Sequence, residues 1–114
     1  MRIQGKVWGE TTCIFQTDTV SAHYLRIKEG GYCSDHQHRH KSNVFYVIRG
    51  KLKITINTGA GEDRTVLTDG QSTAVPPGLW HKFEALEDTE CIEIYRVFLQ
   101  EPDIERRTIG GMRK

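Results

Sequence analysis

The chain has 114 residues, of which 16 are basic and 15 are acidic, giving a formal net charge of +1. This length predicts a single domain with its own hydrophobic core. The near-neutral charge without a basic block argues against nucleic acid or an anionic membrane as a partner, and no apolar run approaches the roughly 18 residues that a membrane span needs.

Short strands separated by turn residues are predicted from residue 20 to residue 99. In chain order they cover residues 20–28, 43–50, 51–57, 64–68, 72–78, 81–86 and 90–99. The third alternates most clearly, because Leu52, Ile54 and Ile56 share one face while lysine and threonine take the other. No stretch before the last dozen residues shows a helical pattern. Many short strands at spacings of about 8–12 residues are typical of an all-β sandwich or barrel.

The N-terminal stretch and the cysteines bear on the compartment. The opening MRIQGKVWGE contains no apolar stretch of the kind found in secretory signals. Cys13, Cys33 and Cys91 are odd in number and scattered, which favours a reducing compartment over a disulfide framework. We therefore expect a cytoplasmic protein with unpaired thiols. The mid-strand His23 is interpreted as structural.

The stretch SDHQHRHKSN contains three histidines at alternate positions. Residues two apart on a strand point to the same face, so the rings of His36 and His38 should lie together, with His40 beside them if the strand continues. A catalytic type of metal site needs at least a third ligand from elsewhere in the chain, and His81, after a Pro-Pro-Gly turn, is the candidate. The alternatives are a metal-free polar pocket of neutral histidines and a histidine strip on the surface.

Two motifs around these histidines resemble those of the cupin superfamily. The first, residues 30–50, reads Gly-x5-His-x-His-x4-Asn-x6-Gly, and the second, residues 70–85, reads Gly-x5-Pro-x-Gly-x2-His-x3-Ala. The glycines, the histidines and Pro76 of both motifs all fall in register, which makes the match specific. The resemblance implies an all-β double-stranded β-helix, the cupin jelly-roll barrel, as a single domain over residues 1–114. It also implies that the motif glycines lie at strand-end turns with unusual dihedral angles.

The resemblance further implies one divalent metal ion, zinc, iron, manganese or nickel, held inside the barrel. Its ligands would be His36, His38 and His81, with Asn43 at or near the fourth position. The family usually has Glu where this chain has Asn43, and a neutral amide oxygen is a weaker ligand for a divalent ion. We therefore expect a lower metal affinity and a more electrophilic bound ion. His40 is an alternative ligand if the strand bulges.

A narrower resemblance involves both ends of the chain. The pair Trp8-Gly9, the stretch KEGGYCSDHQHRHKSN and the segment EPDIERR resemble the C-terminal cupin domain of bifunctional mannose-6-phosphate isomerase/mannose-1-phosphate guanylyltransferase enzymes. This directs the ligand prediction towards sugars or sugar phosphates. Within the C-terminal tail, residues 100–114, it favours Arg106 as a partner for a phosphate or carboxylate group.

Strand parity predicts which side chains share a cavity with the histidines. Phe83 follows His81 on the same face. After Asn43, either Tyr46 or Phe45 points into the cavity, depending on where an irregularity shifts the alternation. Tyr46 and Trp80 offer rings that stack on a sugar, although plain packing is the commoner role of such residues. The predicted pocket residues are His40, Tyr46, Trp80, Phe83 and Arg106.

These features leave more than one function open. A metal held by neutral histidines can act as a Lewis acid in isomerase chemistry, or, if it is iron, activate dioxygen, and the same ligands serve both reactions. The alternative is a binding or sensor domain without turnover, which the missing carboxylate favours. A third possibility is an interaction protein with a vestigial cavity. We expect a small-molecule ligand and a homodimer, with the N-terminal strand as a plausible site of sheet pairing.

Overall fold

The computed structural model describes residues 2–97, which form nine β-strands joined by turns. Among these residues we find no helix of the length and apolarity required to cross a membrane. In chain order the strands are β1 (Arg2–Lys6), β2 (Gly9–Gln16), β3 (Val20–Ile27), β4 (Lys41–Arg49), β5 (Leu52–Asn57), β6 (Glu62–Leu67), β7 (Ser72–Val75), β8 (Trp80–Ala85) and β9 (Thr89–Val97).

The strands form two antiparallel sheets. The larger has the order β1-β2-β3-β9-β4-β7 and the smaller the order β6-β5-β8. Their inner faces enclose a core to which both sheets contribute, including Leu25 and Phe45 from the larger sheet and Ile54 and Phe83 from the smaller. The predicted fold class is confirmed: the chain is an all-β jelly roll.

The predicted strands agree well with β3 to β9, but β1 and β2 were not predicted. The alternation of β5 is confirmed, since Leu52, Ile54 and Ile56 are all buried. In β1 and β2 neither parity is consistently apolar, and β2 is held by tertiary pairing with β3, including a bulge between Cys13 and Phe15. Long-range pairing of this kind outweighs weak local propensity.

The segment between β3 and β4 lies beside β8 and extends the small sheet. The backbone N–H of His36 donates to the carbonyl of His81 at 3.0 Å, and the N–H of His81 donates back at 2.8 Å. The N–H of Gly78 donates to the carbonyl of His38 at 2.7 Å. Residues that exchange both bonds in an antiparallel pair carry their side chains on the same face. The two histidine motifs are therefore held side by side by the backbone alone.

The motif glycines adopt the positive φ angles predicted for them. Values of 82° at Gly30, 120° at Gly50 and 79° at Gly70 lie in the region that disfavours residues with a side chain. The position of Gly50 is also crowded, because an added Cβ would lie 2.5 Å from Oγ1 of Thr89 and 2.6 Å from the carbonyl oxygen of Asp88.

We expect Gly50→Ala to lower the free energy of unfolding by about 3 kcal/mol, since backbone strain and a steric clash add together. Gly70→Ala is the matched control, because its Cβ would meet nothing within 4 Å. Its expected loss is about 1–2 kcal/mol, from the positive φ alone. Urea denaturation of both variants measures the difference, and equal losses would contradict the role of crowding at Gly50.

Candidate metal centre

Three imidazole rings meet where the segment before β4 crosses β8. The ring centroid of His36 lies 4.4 Å from that of His81 and 5.1 Å from that of His38, and the centroids of His38 and His81 are 5.6 Å apart. One ring nitrogen of each lies within 4.8 Å of the corresponding nitrogens of the other two. The structure thus brings together the three histidines that the sequence motifs singled out.

Backbone carbonyls fix the tautomers of two of these rings. Nδ1 of His36 lies 2.7 Å from the carbonyl oxygen of Ser34, and Nδ1 of His81 lies 3.0 Å from that of Leu79. Because a carbonyl can only accept a hydrogen bond, each Nδ1 carries the proton, and each Nε2 keeps its lone pair. A second-sphere contact of this kind is what orients histidine ligands in metal sites.

Asn43 lies beside the histidine cluster, on the buried side of His81. It lies on β4, is 1% exposed, and its Nδ2 lies 3.3 Å from Nε2 of His81. Among the side chains of residues 4–97, two buried polar atoms have no hydrogen-bond partner, and both belong to this place: Oδ1 of Asn43 and Nε2 of His38. Buried polar atoms are nearly always satisfied. A bound cation would give both atoms a partner, so the donor set fits a divalent metal ion.

Burial keeps two of these rings, those of His38 and His81, in the form that binds metals. It lowers the pKa of both, and the neighbouring His36, His81 and Lys41 lower the pKa of His38 further. At neutral pH both imidazoles are therefore neutral, with a lone pair available to a cation.

A cavity of about 340 Å³ opens beside His36. One wall is aromatic, since Trp8 and Phe83 meet edge to face with ring centroids 5.2 Å apart. The lining also includes polar groups, among them Glu93 and Tyr95. A largely apolar lining with a few polar groups is the usual form of a small-molecule site. Phe83 is thus found at the cavity, where strand parity predicted it.

Three predicted pocket residues lie elsewhere and are corrected here. His40 is exposed, because residues 39–40 form a bend that ends the alternation after His38. Tyr46 is 43% exposed on the outer face of β4, whose inner face carries Phe45. Trp80 is 48% exposed, since it precedes the buried His81 by one residue and takes the opposite face of β8. Arg106 lies outside the described residues.

Glu93 borders the site and was not predicted from the sequence. Its side chain lies on the inner face of β9, 6% exposed, with Oε2 3.1 Å from Nδ2 of Asn43. Burial raises the pKa of this carboxyl to about 7, against the opposing effect of the nearby Tyr95 and Asn43. The two isoleucines that flank Glu93 favour the opposite face of the strand as the buried one.

Two other residues border the cavity. His23, interpreted as structural, pairs with Glu93 across β3 and β9 and lines the same cavity. Cys33 accepts a hydrogen bond from the backbone N–H of Phe83, and burial raises its pKa to about 11. A thiol with so high a pKa is a poor nucleophile and a poor metal ligand at neutral pH.

A larger depression, of about 520 Å³, lies at the other end of the large sheet. Four of its charged side chains form two ion pairs, Arg26 with Glu10 and Arg49 with Glu90. It contains no histidine, cysteine or buried polar atom without a partner. The chemistry of the described residues is therefore concentrated in the smaller cavity.

Comparison with known proteins gives the same family as the motifs. Residues 23–95 match a family model described as "Cupin domain". Among curated proteins, a mannose-1-phosphate guanylyltransferase of Escherichia coli is 29% identical over 105 residues, which cover 87% of this chain and 21% of the enzyme. The corresponding enzyme of Sinorhizobium fredii is 32% identical over 76 residues, covering 66% of this chain and 14% of the enzyme. The chain thus spans about a fifth or less of the length of these relatives.

Solved structures show the same fold. KdgF from Halomonas sp. superposes with a TM-score of 0.75 at 19% identity, covering 87% of this chain and 90% of that protein. Oxalate decarboxylase of Bacillus subtilis, described with Mn(II) centres, superposes with a TM-score of 0.74 at 20% identity, covering 84% of this chain and 27% of the enzyme.

Proposed function

The chain belongs to the cupin family, and from this premise we propose that it binds one divalent metal ion through His36, His38 and His81, with Asn43 beside them, and that it acts on a small polar ligand related to sugars. The observation that carries the proposal is the convergence of three imidazoles on the same place as two buried atoms without partners. When bound, such an ion acts as a Lewis acid on a carbonyl or hydroxyl oxygen.

The rest of the site suits a polyhydroxy ligand. The aromatic wall of Trp8 and Phe83 offers an apolar surface to the C–H face of a sugar ring, and the carboxylate of Glu93 offers an acceptor to its hydroxyl groups. The names of the curated relatives support a ligand related to mannose phosphates. The occurrence of Mn(II) centres in oxalate decarboxylase supports manganese beside zinc, iron and nickel as the cation.

Two measurements on one preparation test this function. We expect the purified protein to contain close to one equivalent of a first-row divalent metal by elemental analysis, and to gain thermal stability when that metal is added after chelation, since a ligand that binds only the folded state stabilises it. Turnover is then assayed with hexose phosphates and, separately, by oxygen consumption. Absence of both metal content and metal-dependent stabilisation would contradict the proposal.

A binding or sensor domain is the second candidate, and the neutral Asn43 favours it. A carboxylate ligand would add a negative charge to the site, whereas this position is occupied by an amide. Protection against thermal unfolding by a sugar phosphate, without turnover in either assay, identifies this alternative. Turnover that disappears on chelation and returns with the metal identifies the enzyme.

The predicted homodimer and cytoplasmic location stay predictions. The three cysteines are unpaired, as expected in a reducing compartment. The outer face of the large sheet exposes Tyr46 and Ile48, and sedimentation analysis of the purified protein measures whether two copies associate.

A further inference from the structure

The carboxylate of Glu93 is buried, with 6% of the residue exposed. The ion pairs formed among the described side chains, those of residues 4–97, do not include it. His23 is paired with Glu93 across β3 and β9, but its Nε2 contacts the hydroxyl of Ser21 and not the carboxylate. Burying a charge away from water is costly unless an opposite charge or several hydrogen bonds offset it. Lys6 lines the same cavity but forms no ion pair with Glu93. A cation bound beside Asn43 would offset the charge of this carboxylate.

Asn43 connects Glu93 to the histidine cluster. One nitrogen, Nδ2, lies 3.1 Å from Oε2 of Glu93 and 3.3 Å from Nε2 of His81. An amide nitrogen has two N–H groups, so in the cation-free protein one can donate to the carboxylate and the other to the imidazole. A cation on Nε2 of His81 would replace the second of these bonds and leave the first. The carboxylate thus lies a single side-chain amide away from the atom of His81 that faces the other two rings.

We propose that Glu93 supplies, from β9, the negative charge of the cation site, acting on the cation across the amide of Asn43. This inference rests on the proposed binding of a divalent cation by the three histidines. Imidazole ligands are neutral and leave the double charge of the cation uncompensated. A buried carboxylate in contact with Asn43 attracts the cation through a medium of low dielectric constant. Groups outside the ligand shell commonly change metal affinity 10- to 100-fold.

The strand arrangement accounts for this position of the charge. Phe45 and Glu93 are Cα partners in the pairing of β4 with β9, and Asn43 lies two residues from Phe45 on the same face. Diagonal neighbours on one face of an antiparallel pair are within reach of long side chains. A glutamate on β9 can therefore reach the site beside position 43, where this chain has a neutral residue.

An isosteric exchange of charge tests the proposal. Glu93→Gln removes the charge at constant size, and the double variant Asn43→Asp/Glu93→Gln moves the charge to position 43 while reversing the donor and acceptor of the same hydrogen bond. Glu90→Gln is the matched control, because Glu90 lies on the same strand in an ion pair with Arg49 at the surface. Affinities for Mn²⁺ and Zn²⁺ are measured by titration calorimetry on the chelated protein.

We expect Glu93→Gln to weaken cation binding roughly 10- to 100-fold, the double variant to recover most of this loss, and Glu90→Gln to bind like the wild type. If Glu93→Gln binds the cation as tightly as the wild type does, the role of Glu93 is overturned while the proposed function stands, because the cation then binds without this charge. A double variant as weak as Glu93→Gln would also overturn it, since it would show that position 93 matters for a reason other than charge. Failure of the wild type to bind either cation would overturn the proposed function and this inference together.

Discussion

His81→Ala should lose the bound cation, while His40→Ala should retain it. His81 is buried, is oriented by the carbonyl of Leu79, and brings its ring to within 4.4 Å of that of His36, centroid to centroid. Its removal takes away the ligand contributed by β8 and leaves a pair from one short segment. Loss of a direct ligand should exceed the 10- to 100-fold loss typical of an outer contact, so we expect an affinity at least roughly 100-fold lower.

His40 makes this comparison specific, because it carries the same imidazole four residues from His36 but lies on an exposed bend. Metal content after purification and the affinity for added Zn²⁺ or Mn²⁺ are measured for both variants beside the wild type. Circular dichroism shows whether His81→Ala keeps the β-sheet signal, and His81→Gln, which fills more of the space, serves as a second variant if it does not. Equal metal content in the His81 and His40 variants would remove His81 from the ligand set.

The histidine motifs, together with their resemblance to the cupin family, predicted that distant segments meet. His36 and His38 share a parity, and the barrel that the resemblance implies brings His81, after its Pro-x-Gly turn, beside them. The alternation also specified the inner faces of two strands, with Leu52, Ile54 and Ile56 in β5 and with His81, Phe83 and Ala85 in β8. These predictions rest on local rules that tertiary packing reinforces.

The sequence was ambiguous where both faces of a strand are apolar. In β4 the run from Val44 to Ile48 offers apolar residues at either parity, so Tyr46 was as acceptable inside as Phe45. The choice comes from pairing with β9, which orients Asn43 and Phe45 inwards. By contrast, the position of Trp80 followed from the alternation rule itself, because it is adjacent to His81.

Glu93 was not predicted as a site residue, because the apolar residues of β9 indicate the wrong face of the strand as the buried one. Ile92 and Ile94 predict an apolar inner face for β9, yet they lie on the outer face and are half-buried there. The inner face carries Cys91, Glu93 and Tyr95. A polar residue between two isoleucines on a strand ordinarily points to water, and only the three-dimensional register shows that this one points into the barrel.

Glu93→Gln should also change how the stability of the cation-free protein depends on pH. Burial raises the pKa of Glu93 from an ordinary 4.5 to about 7 in the folded state. Between these values the folded protein binds more protons than the unfolded chain, so the free energy of unfolding falls as the pH rises. The contribution is fully present below pH 4.5 and lost once the pH passes 7. The difference between the two pKa values corresponds to about 3 kcal/mol.

Buried histidines act in the opposite direction. Because burial lowers the pKa of His38 and His81 in the folded state, the unfolded chain binds more protons as the pH falls below 6.5, and stability is lost towards acid. Both histidines are present in wild type and in Glu93→Gln, so their effect cancels in the difference between the two proteins. That difference isolates the carboxyl group.

Urea denaturation in the presence of a chelator, at pH values from 5 to 8, measures this difference. We expect the free energy of unfolding of Glu93→Gln to rise relative to that of the wild type by about 2.5 kcal/mol between pH 5 and pH 8, with most of this rise reached by pH 7. Glu90→Gln, whose carboxylate is at the surface, is the control for removing a negative charge from β9. Parallel stability curves for Glu93→Gln and the wild type would mean that the carboxyl group titrates alike in the folded and unfolded states, which is incompatible with a buried carboxylate facing the cavity.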